Sequence, residues 1–336
     1  MINSPAVNED DHSNSFTALI PTLVGDNGVN YRAFRKTLRP RFLVVWLQLG
    51  FIFAALGATL FVLWHIPNQV FVSLASGIAG AFVIGVTMMV LSNFAHEAAH
   101  YNLAPSRFWN DLLANALIGA ITGTAMDAYR PVHMDHHRYL GTVRDPENNY
   151  WRPLSYGLIA KSLLGITMLK MVLARFTNQN RGGGKKQVSV TVAAGFVLHA
   201  VVLYAALSRR HYALAGAWIT AFAVVWPLCL TLRQILEHRA PHAAGDLAYY
   251  ATVDHGALTR MFSSDHLVGP IFGAAGFNRH LLHHWDPQVS YTRLADLEMF
   301  LRRTNANEIL SARDTTYTKA FRLLNGDSAC SSPRSV

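Results

Sequence analysis

Eight histidines fall into three short clusters whose spacing could bind metal. His96 and His100 stand four apart in SNFAHEAAHYN; His133, His136 and His137 sit in HMDHH; His280, His283 and His284 sit in HLLHH. On a helix, residues three and four apart share a face, so each cluster can aim two or three imidazoles at one point. Imidazole suits iron, zinc, copper and nickel alike. One cluster could half-coordinate one ion, and eight ligands are too many for a single tetrahedral zinc and about right for two metals. The first cluster has a second reading. His96-Glu97-Ala98-Ala99-His100 also fits H-E-x-x-H, in which two histidines hold zinc and the glutamate serves as general base. That arrangement needs a third protein ligand.

Such clusters need rigid elements to bring them together, and the composition says what those are. The 336 residues are 51% hydrophobic and 15% charged, where soluble domains carry about 25% charged residues; the mean hydropathy is positive. Four apolar runs approach the ~20 helical residues that cross a bilayer: Phe42 to Trp64, Val70 to Phe94, Val188 to Leu207 and Tyr212 to Leu232. Between the second and third lie DLLANALIGAITGTAM, too short to span once, and LSYGLIAKSLLGITMLKMVLARF, which carries Lys161, Lys170 and Arg175. Both are expected to be interfacial or re-entrant helices, with a fifth span as the alternative. The fold class expected is therefore an all-α integral membrane protein of about four transmembrane helices, with interfacial helices and a histidine-rich metal-binding cap. The expected organisation is a disordered tail and basic interfacial segment over 1–41, a membrane domain over 42–311 and a disordered tail over 312–336.

The net charge of +9 fits lysines and arginines gathered at the cytoplasmic face of a membrane, and no arginine-rich, aromatic-interleaved patch points to nucleic acid. The basic segments YRAFRKTLRPRF (31–42) and NQNRGGGKKQ (178–187) are expected in the cytoplasm, although SRRHY between the last two spans departs from that bias. No basic stretch followed by an apolar core marks a cleavable signal peptide, and a bacterial inner membrane is the expected location. Cys229 and Cys330 form no C-x-x-C pair, so the sequence offers no disulfide framework or thiolate metal site.

Topology lets the clusters meet. The first ends the second span, and the second follows with no span between. Spans three and four return the chain to the same face, where it meets RQILEHRAPH and then the third cluster. In that run His238 is a ninth candidate ligand, with Gln234 one turn before it and Glu237 beside it. His12, His65, His199 and His211 lie in the tail, outer loops or mid-span and receive no role; His242, His255 and His266 stay outside the ligand set.

H-x-x-x-H, H-x-x-H-H and H-x-x-H-H in that order, spaced by membrane spans, resemble the membrane-bound fatty acid desaturase superfamily, which includes related hydroxylases and carotenoid ketolases. The resemblance covers about residues 42 to 297. RPVHMDHHRYLGTVRDPE is similar to the second box with its trailing acidic residues. RQILEH is similar to the element after the last span, and FNRHLLHHWDPQVSYTRLADL to the third box with its Asn-x-His start. The resemblance implies two non-haem iron ions, O2 as co-substrate and external electrons. It implies the ligands His96, His100, His133, His136, His137, His238, His280, His283 and His284. It also implies that Gln234 holds a metal-bound water and that Asp145 and Asn278 steady ligand histidines. The implied reaction is desaturation of an acyl chain on a lipid, coenzyme A or a carrier; a hydroxylase or ketolase on the same scaffold is the alternative. Trp285-Asp286 before Pro287 departs from the family's apolar pair and leaves the substrate subclass open.

An intramembrane zinc metalloprotease would use His96, Glu97 and His100. Such enzymes usually take an aspartate from a later span, yet spans three and four contain no Asp or Glu, and six or seven ordered histidines would go unexplained. Glu97 is read instead as a hydrogen-bonding or incidental helix residue. Arg130, Arg138, Arg239 and Arg279 flank the histidines and could bind an acidic head group or carrier phosphopantetheine; pairing with lipid phosphates is the alternative. No haem module, flavin or nicotinamide fingerprint is visible, so electrons are expected from a separate ferredoxin, rubredoxin or cytochrome, drawn by the basic face.

Overall fold

Lipid offers no partner for a backbone N–H or C=O, so a long apolar run must close its own hydrogen bonds as helix. Four runs do so in the computed structural model, which describes residues 16–142, 144–151, 154–170, 189–239, 259–263, 265–266 and 268–325. A short helix, α1 (Tyr31–Arg35), precedes them. The candidate spans are α2 (Phe42–His65), α3 (Val70–Ala99), α7 (Val190–Ser208) and α8 (Tyr212–His238). All four match the expected spans, with α3 and α8 running five or six residues further than expected. The extensions carry His96 and His238 into helix, with His100 as the C-cap of α3.

The four spans are not equivalent. Within the apolar window of each, 44% of α3 and 50% of α8 is buried, against 17% of α2 and 11% of α7. The inner pair is thus α3 and α8, while α2 and α7 turn side chains such as Phe51, Phe61, Phe196 and Val197 outward. Close approach of the inner pair depends on Gly85, where an added Cβ would lie 2.5 Å from Val225. Val225 ends a π-helical stretch, Ala221–Val225, just before Pro227. Proline lacks the N–H of a regular turn, and a wide π turn absorbs the mismatch. Buried Trp226 then donates from Nε1 to Ser92 Oγ at 3.0 Å, tying α8 to α3.

Between the inner helices run α4 (Arg107–Leu113), α5 (Met126–Tyr139) and α6 (Tyr156–Leu163). Ser155 caps α6 by accepting from Leu158 N, a satisfied helix start of the expected kind. The segment 154–176 stops being described after residue 170, and the basic loop 178–187 lies outside the described residues, as do His12, His242 and His255. After α8 come β1 (Met261–Phe262), α9 (His280–Trp285), α10 (Leu294–Leu301), α11 (Asn307–Arg313), β2 (Asp314–Thr315) and α12 (Tyr317–Asn325).

Two stretches expected to be disordered are ordered where they are described. After residue 312, β2 pairs in parallel with β1, and Tyr317, 1% exposed, stacks on Phe262 at 3.8 Å. Near the N-terminus Phe16, Leu23 and Tyr31 are fully buried. Polar composition hid these few apolar anchors. Phe16 stacks on Trp285 at 4.8 Å, and Phe34 stacks on Phe300 at 4.2 Å.

The departure Trp285-Asp286 now has a structural reason. Trp285 seats Phe16, and Asp286 holds α1. Tyr31 Oη donates to Asp286 Oδ2 at 2.6 Å. Arg35 donates to both carboxylate oxygens and to Gln288. The chain after the third histidine cluster is thereby latched to the N-terminal segment. Replacing Asp286 with Ala leaves the buried Tyr31 hydroxyl without its acceptor, at a cost of about 1–3 kcal/mol. The D286A protein is expected to melt at lower temperature and to be cleaved sooner by protease within residues 16–41; an unchanged melting point and digestion pattern would contradict the latch.

Candidate metal centre

Both inner helices end in ligand-type side chains. The last turn of α3 carries His96, with His100 as its C-cap, and the last turn of α8 carries His238. Two short helices close over them. The first is α5, with His133, His136 and His137. The second is α9, with His280, His283 and His284. The approach to α9 reverses through Ala275 and Gly276 at φ 54° and 80°. Glycine is required at 276, because a Cβ there would lie 2.6 Å from that of Tyr291. The reversal buries Phe277 against His96 and His280.

The nine imidazoles form two adjacent groups. In the first, one ring nitrogen each from His96, His100, His133, His137 and His283 all lie within 4.8 Å of one another. In the second, His136, His238 and His284 meet the same limit, and His280 Nε2 sits 2.9 Å from His238 Nε2 and 3.1 Å from His284 Nε2. The expectation that each cluster serves one point needs correction. On α5 the pair one turn apart, His133 and His137, faces the first group, and His136 faces the second. On α9 the proportions reverse, with His280 and His284 in the second group and His283 in the first. Each pentad therefore stitches the two groups together.

The donor set fits metal. The Nε2 atoms of His100 and His137 lie 2.9 and 3.1 Å from that of His133, and His283 Nε2 lies 3.1 Å from His137 Nε2. Nitrogens about 2.0–2.1 Å from a common ion are spaced ~3 Å apart. One proton cannot satisfy several lone pairs that share a point. Both ring nitrogens of His96, and Nδ1 of His133, His137 and His283, are buried without a hydrogen-bond partner. Burial, reinforced by neighbouring histidines, pushes protonation of His100, His137, His280, His283 and His284 well below the usual imidazole range. The rings therefore present neutral lone pairs, the form that binds metal. His136 is the exception. Burial pulls it down, but the Asp145 and Glu147 carboxylates together outweigh burial and the net shift is upward.

Several residues support the ligand-type rings from outside. Both oxygens of buried Asp145 lie 3.0 Å from His136 Nδ1. Asp145 also accepts from Tyr150 Oη and Glu147 N. Glu147 Oε1 lies 3.6 Å from His133 Nδ1. Glu147 and Tyr150 were not among the expected site residues, although Glu147 ends the acidic run that trails the second cluster and Tyr150 follows three residues later. Asn102 Nδ2 and Tyr291 N both donate to Glu97 Oε2. Gln234 accepts from Asn149 at 2.9 Å, and half-buried Asn278 makes no hydrogen bond to a histidine of either group.

Three of the four arginines expected at a head-group site are engaged elsewhere. Arg130 donates to the carbonyls of Ala98 and Ala99 and pairs with Asp111, bracing α5 against the end of α3. Arg279 pairs with Glu298 at 2.8 Å, and Arg239 is 2% exposed and donates to Tyr150 O. Arg138 is exposed. His199 is structural. Trp218 Nε1 donates to its Nδ1, so its Nε2–H donates to Ile121 O. His266 is exposed and apart from both groups.

The family model for fatty acid desaturase matches residues 73–313. This chain belongs to the fatty acid desaturase family. No curated protein matches it. The family assignment agrees with four apolar helices and with histidines gathered into two groups able to hold metal.

Replacing Asp145 with Asn removes the carboxylate that orients His136. Loss of such a partner typically lowers metal affinity ten- to a hundredfold. D145N is expected to lose metal at correspondingly lower chelator concentration, measured by metal retained after graded dialysis; retention equal to wild type would contradict the role.

Proposed function

We propose that the chain is an O2-dependent diiron oxidoreductase of the membrane, acting as a desaturase of an acyl or similar alkyl chain. The observation that supports this most is the division of nine histidines, seven buried and two half-buried, into a group of five and a group of four. In this reading His96, His100, His133, His137 and His283 hold one iron, and His136, His238, His280 and His284 hold the other. Bound iron supplies the reduction of O2 and the hydrogen abstraction that side chains cannot perform. The protein's own residues would fix the two ions, and burial keeps His100, His137, His280, His283 and His284 neutral. A narrow crevice touches both groups, between His96 and His283 on one side and His280 on the other, with Phe277 and Leu294 as apolar walls.

In desaturation two hydrogens leave adjacent carbons and O2 becomes two waters, so two electrons and two protons must enter from outside. An acidic electron carrier is the proposed source. Arg32, Lys36 and Arg39 are exposed on the N-terminal segment, and clustered cations speed the approach of such a partner. The charge bias of the basic segments supports a cytoplasmic metal face, and a bacterial inner membrane is the proposed location. Arg138, the exposed member of the four arginines, is the one suited to an acidic head group.

The zinc-peptidase reading has less support. Glu97 would have to activate a water, yet its Oε2 already accepts two hydrogen bonds. Its histidines also share a group with three more.

Expression in a host with lipid profiling tests the reaction. Products two mass units lighter than the parent chain are expected; products heavier by one oxygen would overturn desaturation in favour of hydroxylation. Replacing His136 with Ala is expected to abolish turnover while the protein still inserts. The purified wild type should hold about two irons and no zinc.

A further inference from the structure

The two histidine groups are unequal, five against four, and a buried carboxylate stands beside the smaller one. Glu237 precedes His238 in the last turn of α8 and is 0% exposed. Neither of its oxygens has a hydrogen-bond partner. A buried carboxylate with nothing to accept from is costly unless a cation lies close. Two guanidiniums lie near, but neither hydrogen-bonds to it: Arg260 donates to the Leu236 and Arg239 carbonyls, and Arg233 Nε makes only a long ion pair, 3.7 Å from Glu237 Oε2, beyond hydrogen-bond reach. Arg233 is turned instead toward Asn93, to which Nη1 donates at 2.7 Å, and over the Phe277 ring. On its other side Glu237 Oε2 lies 3.7 Å from His280 Nε2. One oxygen of Glu237 and one nitrogen each from His238 and His280 fall within 4.8 Å of one another, a third set with ligand-like spacing.

We propose that Glu237 is the fifth protein donor of the four-histidine group, through a carboxylate oxygen. This rests on the diiron reading above and adds a ligand to it. Four imidazoles bring no negative charge of their own to a divalent ion at the membrane face. One carboxylate offsets a unit of the ion's charge, and mixed imidazole–carboxylate sets suit non-haem iron. Glu97 provides the internal contrast. It also adjoins a ligand histidine on an inner helix and is buried, yet Asn102 and Tyr291 satisfy it, and its group already has five imidazoles. The structure therefore distinguishes a carboxylate held by hydrogen bonds from one left open toward a cation site. The two irons would then differ in charge as well as in ligand type, one all-nitrogen and one carrying an anionic oxygen.

The test uses the full chain purified in detergent and loaded with ⁵⁷Fe. Iron per chain and Mössbauer spectra are compared for wild type, E237Q and the charge-balanced double variant R233Q/E237Q. The expected result is that both variants fall from about two irons to about one after mild chelation, with one of the two wild-type doublets lost and the other unchanged. Two irons with a wild-type spectrum in E237Q would overturn the proposal. So would loss in E237Q that R233Q/E237Q restores, since Glu237 would then act only as the counter-ion of Arg233. Wild type holding fewer than two irons would instead contradict the diiron reading itself.

Discussion

Neutral imidazoles packed edge to edge in a buried space repel one another through their lone pairs unless something positive sits among them. Five rings around one point and four around another, several with nitrogens about 3 Å apart, form an arrangement that suits bound cations. Much of the rest of the chain serves to hold these rings there. The spans α3 and α8 pack tightly because Gly85 admits Val225 and the π turn admits Pro227, and their last turns then present His96, His100 and His238 side by side. Arg130 fastens α5 to the end of α3. The turn at Gly276 and the latch on Asp286 bracket α9 on both sides.

The interlocked use of α5 and α9 follows from helical geometry. Residues one turn apart share a face, and the third histidine of each pentad is displaced around the helix. Placed between two groups, such a helix must divide its ligands two to one. With α5 and α9 dividing in opposite senses, neither group can be assembled without both helices. In the proposed function, ion binding and closure of the cap would thus be one event, with binding energy becoming folding energy in the way common to small metal sites.

The sequence was most legible where spacing carries chemistry. The spans followed from apolar length, and the histidines followed from their clustering and from the even number of spans between clusters. The division into five and four was not legible, because it depends on where α5 and α9 lie in space, which spacing alone does not set. Arginines were the least legible. Arg130, Arg239 and Arg279 sit beside histidines in sequence and read as head-group contacts, but in the fold they meet carbonyls and carboxylates. The ordered parts of the termini were missed for a related reason. A single Phe16 or Tyr317 in a polar stretch barely alters composition, yet each fills a hole in the core.

The central claim is a pair of ions held by nine imidazoles. Iron K-edge X-ray absorption of the loaded, full-length protein addresses it directly, since imidazole rings give a distinctive outer-shell scattering pattern. The prediction is about two irons per chain, averaging four to five imidazoles each, with a second iron in the scattering shell. One ion per chain, or iron with only one or two imidazoles, would contradict it.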